Sequence, residues 1–455
     1  MKFPAINPAT EEPLVTYEGH SAKEIESKLS QMIKAQSQWK NFSFSERKKI
    51  IKKATTILRR RKKDFSTLIS EEMGKPITQS LAEVEKCAWG CEHFAEHAEK
   101  YLQPEFVKTD AHKSFVSFEP LGIILGIMPW NYPFWQVFRF AAPTLMAGNG
   151  IVMKHASNVP GCSLAIQEIF HQAGVPKGLF ASLLVDSKTA LHLIDDKRIA
   201  GVSVTGSTAA GKQIASRAGL NVKKCVLELG GSDPFIVLDS KVSVQECAHS
   251  AVQGRIVNGG QSCIASKRFI VPQKIAREFE KQMKKEFESL VMGDPFNPNT
   301  QVGPLARDDL RIHLREQMKQ SIRMGARVLT QNKPWRGKGY FFTPTLLGKI
   351  KPDMPLFAEE TFGPLAGVLS VANSREAIEI ANSTEYGLGA SIWSSDLKKA
   401  EEIAYRIQAG NIFINKNVAS DPRIPFGGTK QSGLGKELGE MGIKEFVNAK
   451  TIWIN

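Results

Sequence analysis

The chain has no run of ~18 consecutive apolar residues, the length that would span a bilayer as a helix. Its first residues, Met1-Lys-Phe-Pro4, carry no apolar signal core, so the reading expected is a cytoplasmic protein with no membrane partner. Cysteine is scarce. Six residues, at 87, 91, 162, 225, 247 and 263, form no Cys-x-x-Cys pair, which excludes a disulfide scaffold and fits a reducing compartment. No internal repeat or low-complexity tract is visible, and no Gly-x-Gly-x-x-Gly occurs at a strand-to-helix turn. At 455 residues the chain is too long for one ordinary domain.

A formal charge of +14 raises the question of nucleic acid. The densest cations, Arg47 to Lys63, lie on a pattern that reads as an amphipathic helix. Ser43 and Glu46 form a capping box before it, Ile50, Ile51, Ala54, Ile57 and Leu58 share one face, and Gly74 and Pro76 follow its end. Those charges read as a solvated face, and no nucleic-acid partner is expected. Cys87, Cys91, His93 and His97 imitate a zinc set. On a helix the cysteines share one face and the histidines another, so they cannot converge, and no metal is expected.

Residues 21–40, 45–73 and 78–101 read as helices. From about residue 120 short apolar runs alternate with helical patterns. Ile123–Met128, Ile151–Lys154, Phe180–Val185, Ile199–Thr205 and Cys225–Leu227 read as buried strands, with helices at Ser163–Ala173 and Ala209–Ala218. After Gly230-Gly231 the alternation resumes, with strands at Phe235–Leu238 and Phe269–Val271 and helices at Val242–Val257 and Lys274–Val291. Glu445–Ile454 reads as a late strand that pairs with Phe115–Phe118, within the chain or across a subunit interface. This is an α/β fold of two doubly wound units with a boundary near Gly230.

Three polar residues sit where such sheets bind ligands, at the carboxyl ends of strands. Asn131 follows Met128-Pro-Trp130, Glu228 closes an apolar strand, and Cys263 lies among small residues in Asn258-Gly-Gly-Gln-Ser-Cys263. An amide, a carboxylate and a thiol suggest acyl chemistry, with an oxyanion donor, a base and a nucleophile. Gly206-Ser-Thr-Ala-Ala-Gly-Lys212 resembles a phosphate-binding loop, but Gln213 stands where a magnesium-holding hydroxyl belongs. What remains is a helix start suited to a phosphate.

Six motifs occur in order: Pro129-Trp-Asn-Tyr-Pro133, Thr205-Gly-Ser-Thr208, Leu227-Glu-Leu-Gly-Gly231, Gly260-Gln-Ser-Cys263, Glu359-Glu-Thr-Phe-Gly-Pro364, and Pro425-Phe-Gly-Gly428 with Lys430-Gln-Ser-Gly433. Together they resemble the aldehyde dehydrogenase superfamily nearly end to end. Lys154-His-Ala-Ser157, the stretch after Glu228 and Arg139 look most like its succinate-semialdehyde dehydrogenases.

The resemblance implies an NAD(P)-dependent enzyme that oxidises succinate semialdehyde, or another short aldehyde, through a thiohemiacetal and thioester on Cys263. Asn131 and the Cys263 N–H would hold the oxyanion, and Glu228 would activate water. Lys154 and Ser157 would meet the adenosine ribose, Gly206 and Ser207 the pyrophosphate. Trp130 and Leu229 would line the cofactor path, and Glu360 and Phe362 its nicotinamide end. Ser157 is small and neutral with Lys154 nearby, so NADP is expected, with or without NAD. Arg139 would clamp the substrate's far carboxylate, aided by Ser420, with Tyr132 and Phe426 walling the chain between.

The implied organisation is a cofactor domain (1–105 and 121–229), a catalytic domain (230–432) and a small β oligomerisation element (106–120 and 433–455), in a homodimer or homotetramer. Two departures stand out. Val185-Asp-Ser-Lys-Thr replaces a glycine-rich loop, and Val257 stands six residues before Cys263 where some relatives carry an arginine, with Arg255 two residues earlier. Against the hydrolytic dehydrogenase stand a coenzyme-A-acylating enzyme, disfavoured by Glu228, and a non-enzymatic use of the fold, disfavoured by the intact Cys263, Glu228 and Asn131.

Overall fold

The computed structural model describes residues 1–331 and 333–455. Strand Ile123–Met128 shows how the first sheet is built. Its successive side chains leave on opposite faces. Ile124 and Met128 join one core cluster, with the helices of residues 35–102, while Ile123 and Leu125 join another, with Leu29, Met32, Ile214 and Ala218. A strand buried on both faces in this way belongs to a parallel sheet covered by helices.

That sheet has six strands in the order Gly433–Leu434, Lys224–Glu228, Ile199–Thr205, Ile123–Met128, Gly150–His155 and Phe180–Ser182. All pair in parallel except the first, which is antiparallel. The chain runs outward from Ile123–Met128 through Gly150–His155, then returns to its other side at Ile199–Thr205. This reversal opens a crevice between the carboxyl ends of those two strands. Asn131 and Gly206 lie just beyond them.

A second sheet has seven strands, centred on Ser266–Pro272 and Asp233–Val237, and is parallel apart from the short Arg327–Val328 edge. Asp233 pairs with Ser266. The chain therefore leaves the first sheet at Glu228, crosses four residues and enters the second beside the point where the Cys263 loop enters it. That crossing brings the two residues to one place.

The carboxyl-terminal strand, Val447–Ile454, pairs within the chain, antiparallel to Lys113–Pro120, with Val447 opposite Pro120. It begins two residues later than the sequence suggests, because Lys444–Phe446 forms a 3-10 turn. Two further expectations are corrected. Residues 45–73 form two helices, Phe44–Arg60 and Lys62–Met73, parted at Arg61. Five consecutive cations, Arg59 to Lys63, disfavour an unbroken helix there, since like charges a turn apart repel. The strand expected to run to Val185 ends at Ser182, and Asp186 instead caps the next helix through the Thr189 N–H at 2.7 Å. An amino-terminal hairpin, Lys2–Ile6 with Pro13–Glu18, was not foreseen. No helix among the described residues is long and apolar enough to cross a membrane.

Candidate active site

The loop before Cys263 is held in an uncommon backbone shape. Asn258, Gly259 and Gly260 have φ of 56°, 62° and 79°, a left-handed run that glycine and asparagine tolerate best. A Cβ on Gly260 would also meet the Gly363 carbonyl oxygen at 2.3 Å. Two buried cations pin the loop by its carbonyls. Arg255 donates to Gly363, Ser266, Gly260 and Thr361, and Lys267 Nζ donates to Ser262 and Cys263 at 2.9 and 2.7 Å. Arg255 is thus a loop clamp and reads no substrate carboxylate.

Cys263 itself is half-buried. Burial pushes its thiol up to about 12, while Arg139 and Lys267 pull it back down. Among the described residues no protein group accepts its backbone N–H. The Asn131 side-chain amide gives one hydrogen to the Gln261 carbonyl at 3.0 Å, leaving the other for a ligand. Asn258 Nδ2 fixes the Asn131 backbone through its carbonyl at 2.7 Å. His155 fixes the same turn, donating from Nε2 to Pro133 O at 2.8 Å while its Nδ1 accepts the Ala156 N–H.

Glu228 is buried, and neither carboxylate oxygen has a hydrogen-bond partner among the described residues. Desolvation raises its pKa well above the carboxylate range, with Arg139 pulling it down and Glu437 pushing it up. An unsatisfied buried carboxylate is costly, and such groups cluster where chemistry is done.

Cys263, Tyr132, Arg139, Ser420 and Phe426 line one cavity of about 560 Å³, together with Lys86. Arg139 emerges from helix Trp135–Met146, whose first N–H groups, on Phe134 and Trp135, are held by Glu83 at 2.9 and 3.0 Å. Its guanidinium is not an idle fork. Nε faces Glu437 Oε2 at 2.5 Å, Nη2 donates to Thr205 Oγ1 at 3.3 Å, and the group lies 5.2 Å from the Phe426 ring centre. Glu437 arrives on a bridge between its own backbone and that of Phe426. Nothing local in the sequence marks this pair, whose members lie almost 300 residues apart.

Arg139 and Glu437 are both buried, so removing one strands the other. Arg139→Ala is expected to lower unfolding stability by ~3–5 kcal/mol, and Arg139→Ala with Glu437→Gln to recover most of that. Urea denaturation checks this. A single variant as stable as wild type would show that the pair contributes nothing to the fold.

The other sheet-end residues lie around the crevice. Lys154 is half-buried and lowered by burial, with Asp186 opposing that shift. Ser157 is exposed, and the neighbouring Asn158 Nδ2 is buried without a partner. Gly206 has open space where a Cβ would stand, and Ser207 caps helix Thr208–Leu220. Leu229 packs where a Cβ on Gly211 would sit, which explains that glycine as close helix packing. Trp130 and Phe362 meet edge to face at 5.8 Å. Glu360 Oε1 accepts the Gly231 N–H at 3.0 Å and lies 3.7 Å from Lys267 Nζ.

Residues 1–452 match the aldehyde dehydrogenase family. Similar proteins include a probable NADP+-type succinate-semialdehyde dehydrogenase of Synechocystis sp., 47% identical over all of both chains. An NAD(P)+-type succinate semialdehyde dehydrogenase of Escherichia coli is 41% identical, over 99% of this chain and 97% of its own. Among solved structures, a Streptococcus pyogenes succinic semialdehyde dehydrogenase in complex with NADP+ superposes with a TM-score of 0.97 at 34% identity over 99% of both chains.

Proposed function

Because this chain belongs to the aldehyde dehydrogenase family, we propose that it oxidises succinate semialdehyde to succinate with NADP, and with NAD as a second acceptor, through a thioester on Cys263. The observation carrying this reading is one cavity that holds the half-buried Cys263 together with two cations, Lys86 and Arg139. The similar proteins named for succinate semialdehyde and NADP+ support it.

In this reading the Cys263 thiol gives its proton to solvent water, and the resulting thiolate attacks the aldehyde carbon. The second Asn131 amide hydrogen and the Cys263 N–H receive the oxyanion, whose loss of one such donor typically costs ~10²–10³ in rate. Held beside Trp130, Glu360 and Phe362, a nicotinamide would supply the hydride acceptor that this oxidation to the thioester needs. Glu228 then takes a proton from the water that cleaves the thioester, and the Cys263 thiol is regenerated.

The residues at the crevice fit a dinucleotide. Gly206 leaves room beside a helix start, where free N–H groups favour a pyrophosphate, and Ser207 shares that turn. Lys154 and Ser157 would meet the adenosine ribose, near the unpartnered Asn158 Nδ2. Trp130, Leu229 and Phe362 would wall the nicotinamide path. Glu360 would hold its ribose, exchanging its bond to Gly231. Tyr132 and Phe426 would wall the substrate's methylenes, with Ser420 at its far end.

The six-stranded sheet with its helices would form the cofactor domain, the seven-stranded sheet the catalytic domain, and the antiparallel sheet of Glu105–Phe106, Lys113–Pro120 and Val447–Ile454 an oligomerisation element. The outer edge of Val447–Ile454, with Trp453 and Ile454 exposed, suits a homodimer or homotetramer. The cytoplasm is the compartment this reading favours.

Steady-state assays with succinate semialdehyde and butyraldehyde, each with NADP+ and NAD+, test the proposal. A preference for butyraldehyde contradicts the substrate. Ser157→Glu is expected to move cofactor preference toward NAD by ~10-fold or more, since a carboxylate pairs with a free 2′-hydroxyl and repels a 2′-phosphate. An unchanged NADP/NAD ratio in that variant would remove Ser157 from the ribose site.

A further inference from the structure

Lys86 lies on helix Ile77–Tyr101 and lines the cavity that holds Cys263. An outer groove shares Ala82, Lys86, Ala419 and Ser420 with that cavity, so Lys86 stands at the throat between the two. Its Nζ lies 4.6 Å from the centre of the Trp135 ring and 2.8 Å from Ser420 Oγ. That hydroxyl also accepts the Trp135 indole N–H at 3.0 Å. An amine at the entry to a cavity that takes aldehydes is placed to react with them.

The groups around this amine favour its free form. Glu83, on the same helix, is taken up by Lys75 and by the Phe134 and Trp135 N–H groups. Cys87, the next residue, is a sealed thiol kept neutral by burial. Glu85 pairs with Arg59 and Lys62, and Asp421 with Arg423. Lys86 itself has no carboxylate within 4.0 Å among the described residues. Helix Trp135–Met146 brings a second cation, Arg139, close enough to oppose its charge. Desolvation and a neighbouring cation are the two devices that prepare a lysine for attack on a carbonyl. Together they lower Lys86 to about 8. At neutral pH roughly a tenth of the amine is then free, about two orders of magnitude more than in an ordinary lysine. The other lowered lysines are placed differently. Lys75 and Lys267 are sealed beside Glu83 and Glu360, and Lys223 and Lys430 are each tied to two carbonyls. Lys154 lines neither the cavity nor the groove.

We propose that Lys86 is a covalent aldehyde-capture site, at which a free aldehyde entering the throat condenses reversibly to an imine. This goes beyond the oxidation at Cys263 and rests only on the reading that aldehydes enter this cavity. The Nζ lone pair attacks the aldehyde carbon, a C–N bond forms, and the carbonyl oxygen takes up the proton that nitrogen loses. Ser420 Oγ, beside Nζ, is placed to carry that proton. The carbinolamine then expels water, breaking its C–O bond and leaving a C=N bond. Water reverses both steps, and no oxidant or reductant is consumed. The adduct occupies the passage between the outer groove and Cys263, so it holds substrate out for as long as it lasts.

Reductive trapping reads this on the unaltered protein. Butyraldehyde with cyanoborohydride, in the absence of NADP+, turns an imine into a stable butyl-lysine that peptide mass spectrometry locates. Near neutral pH Lys86 is expected to be alkylated at least ~10-fold faster than any other lysine. That lead is expected to shrink as pH rises toward about 10, where ordinary lysines lose their protons too. The reagents are then removed and butyraldehyde oxidation with NADP+ is assayed. Trapped wild type is expected to lose most of its turnover, while Lys86→Arg, whose guanidinium forms no such imine, keeps the activity with which it began. Alkylation spread evenly over the surface lysines, or activity lost equally in Lys86→Arg, overturns the proposal. An untreated wild type that oxidises no aldehyde overturns the functional reading instead, and the untreated assay separates that failure from a failure of Lys86 to label.

Discussion

Cys263→Ala is expected to abolish aldehyde oxidation, by at least ~10⁴-fold, the order lost when a covalent nucleophile is removed from an enzyme that depends on it. No other cysteine has a comparable setting. Cys87, Cys91 and Cys162 are sealed in the core with their thiols pushed up by burial, and Cys225 and Cys247 line no part of the cavity. Replacing any of those five is expected to alter stability at most. Cofactor binding should survive in Cys263→Ala, since that side chain does not line the crevice beside Gly206. Titration of NADPH fluorescence separates the two effects. Substantial turnover by Cys263→Ala would remove the thioester from the mechanism.

Glu228→Gln is expected to leave the first half of the reaction intact and to slow the second by ~10²–10⁴-fold, the usual contribution of a general base. A neutral amide of the same shape cannot take the proton of the attacking water. Rapid mixing should therefore show a burst of NADPH, about one per active site, followed by a slow phase. The pH dependence has a definite sign. Burial raises the Glu228 pKa above the ordinary carboxylate range, and the group works as a base only when ionised. Thioester cleavage in the wild type should thus quicken as pH rises through the Glu228 value, and Glu228→Gln should lose that rising limb. A normal steady state in this variant would mean that another group activates the water.

The strand-end residues were legible because open parallel sheets bind ligands at the carboxyl ends of their strands, and alternating apolar runs mark where those ends fall. Asn131, Glu228 and Cys263 could be singled out on chemistry alone. Their convergence could not, because it depends on the four-residue crossing from Glu228 to Asp233 and on the pairing of Asp233 with Ser266. The supporting charges were not legible at all. Lys86 meets Ser420 across 334 positions, and Lys75 with Glu83 looks like an ordinary helix-start pair until both prove buried. Arg139 stands out as a lone cation among Phe134, Trp135, Phe138 and Phe140, yet its partner Glu437 lies in a segment with no apolar periodicity to flag it. Lys267 and Arg255 serve backbone carbonyls, which leave no trace in residue types.

The most direct test of the account is to find the acyl group. Glu228→Gln, mixed with succinate semialdehyde and NADP+ and quenched in acid during the slow phase, is digested and its Cys263 peptide weighed by mass spectrometry. The account predicts one succinyl group on Cys263, released by hydroxylamine and absent when NADP+ is omitted. A full NADPH burst with an unmodified Cys263, or with the succinyl group on another residue, would contradict it.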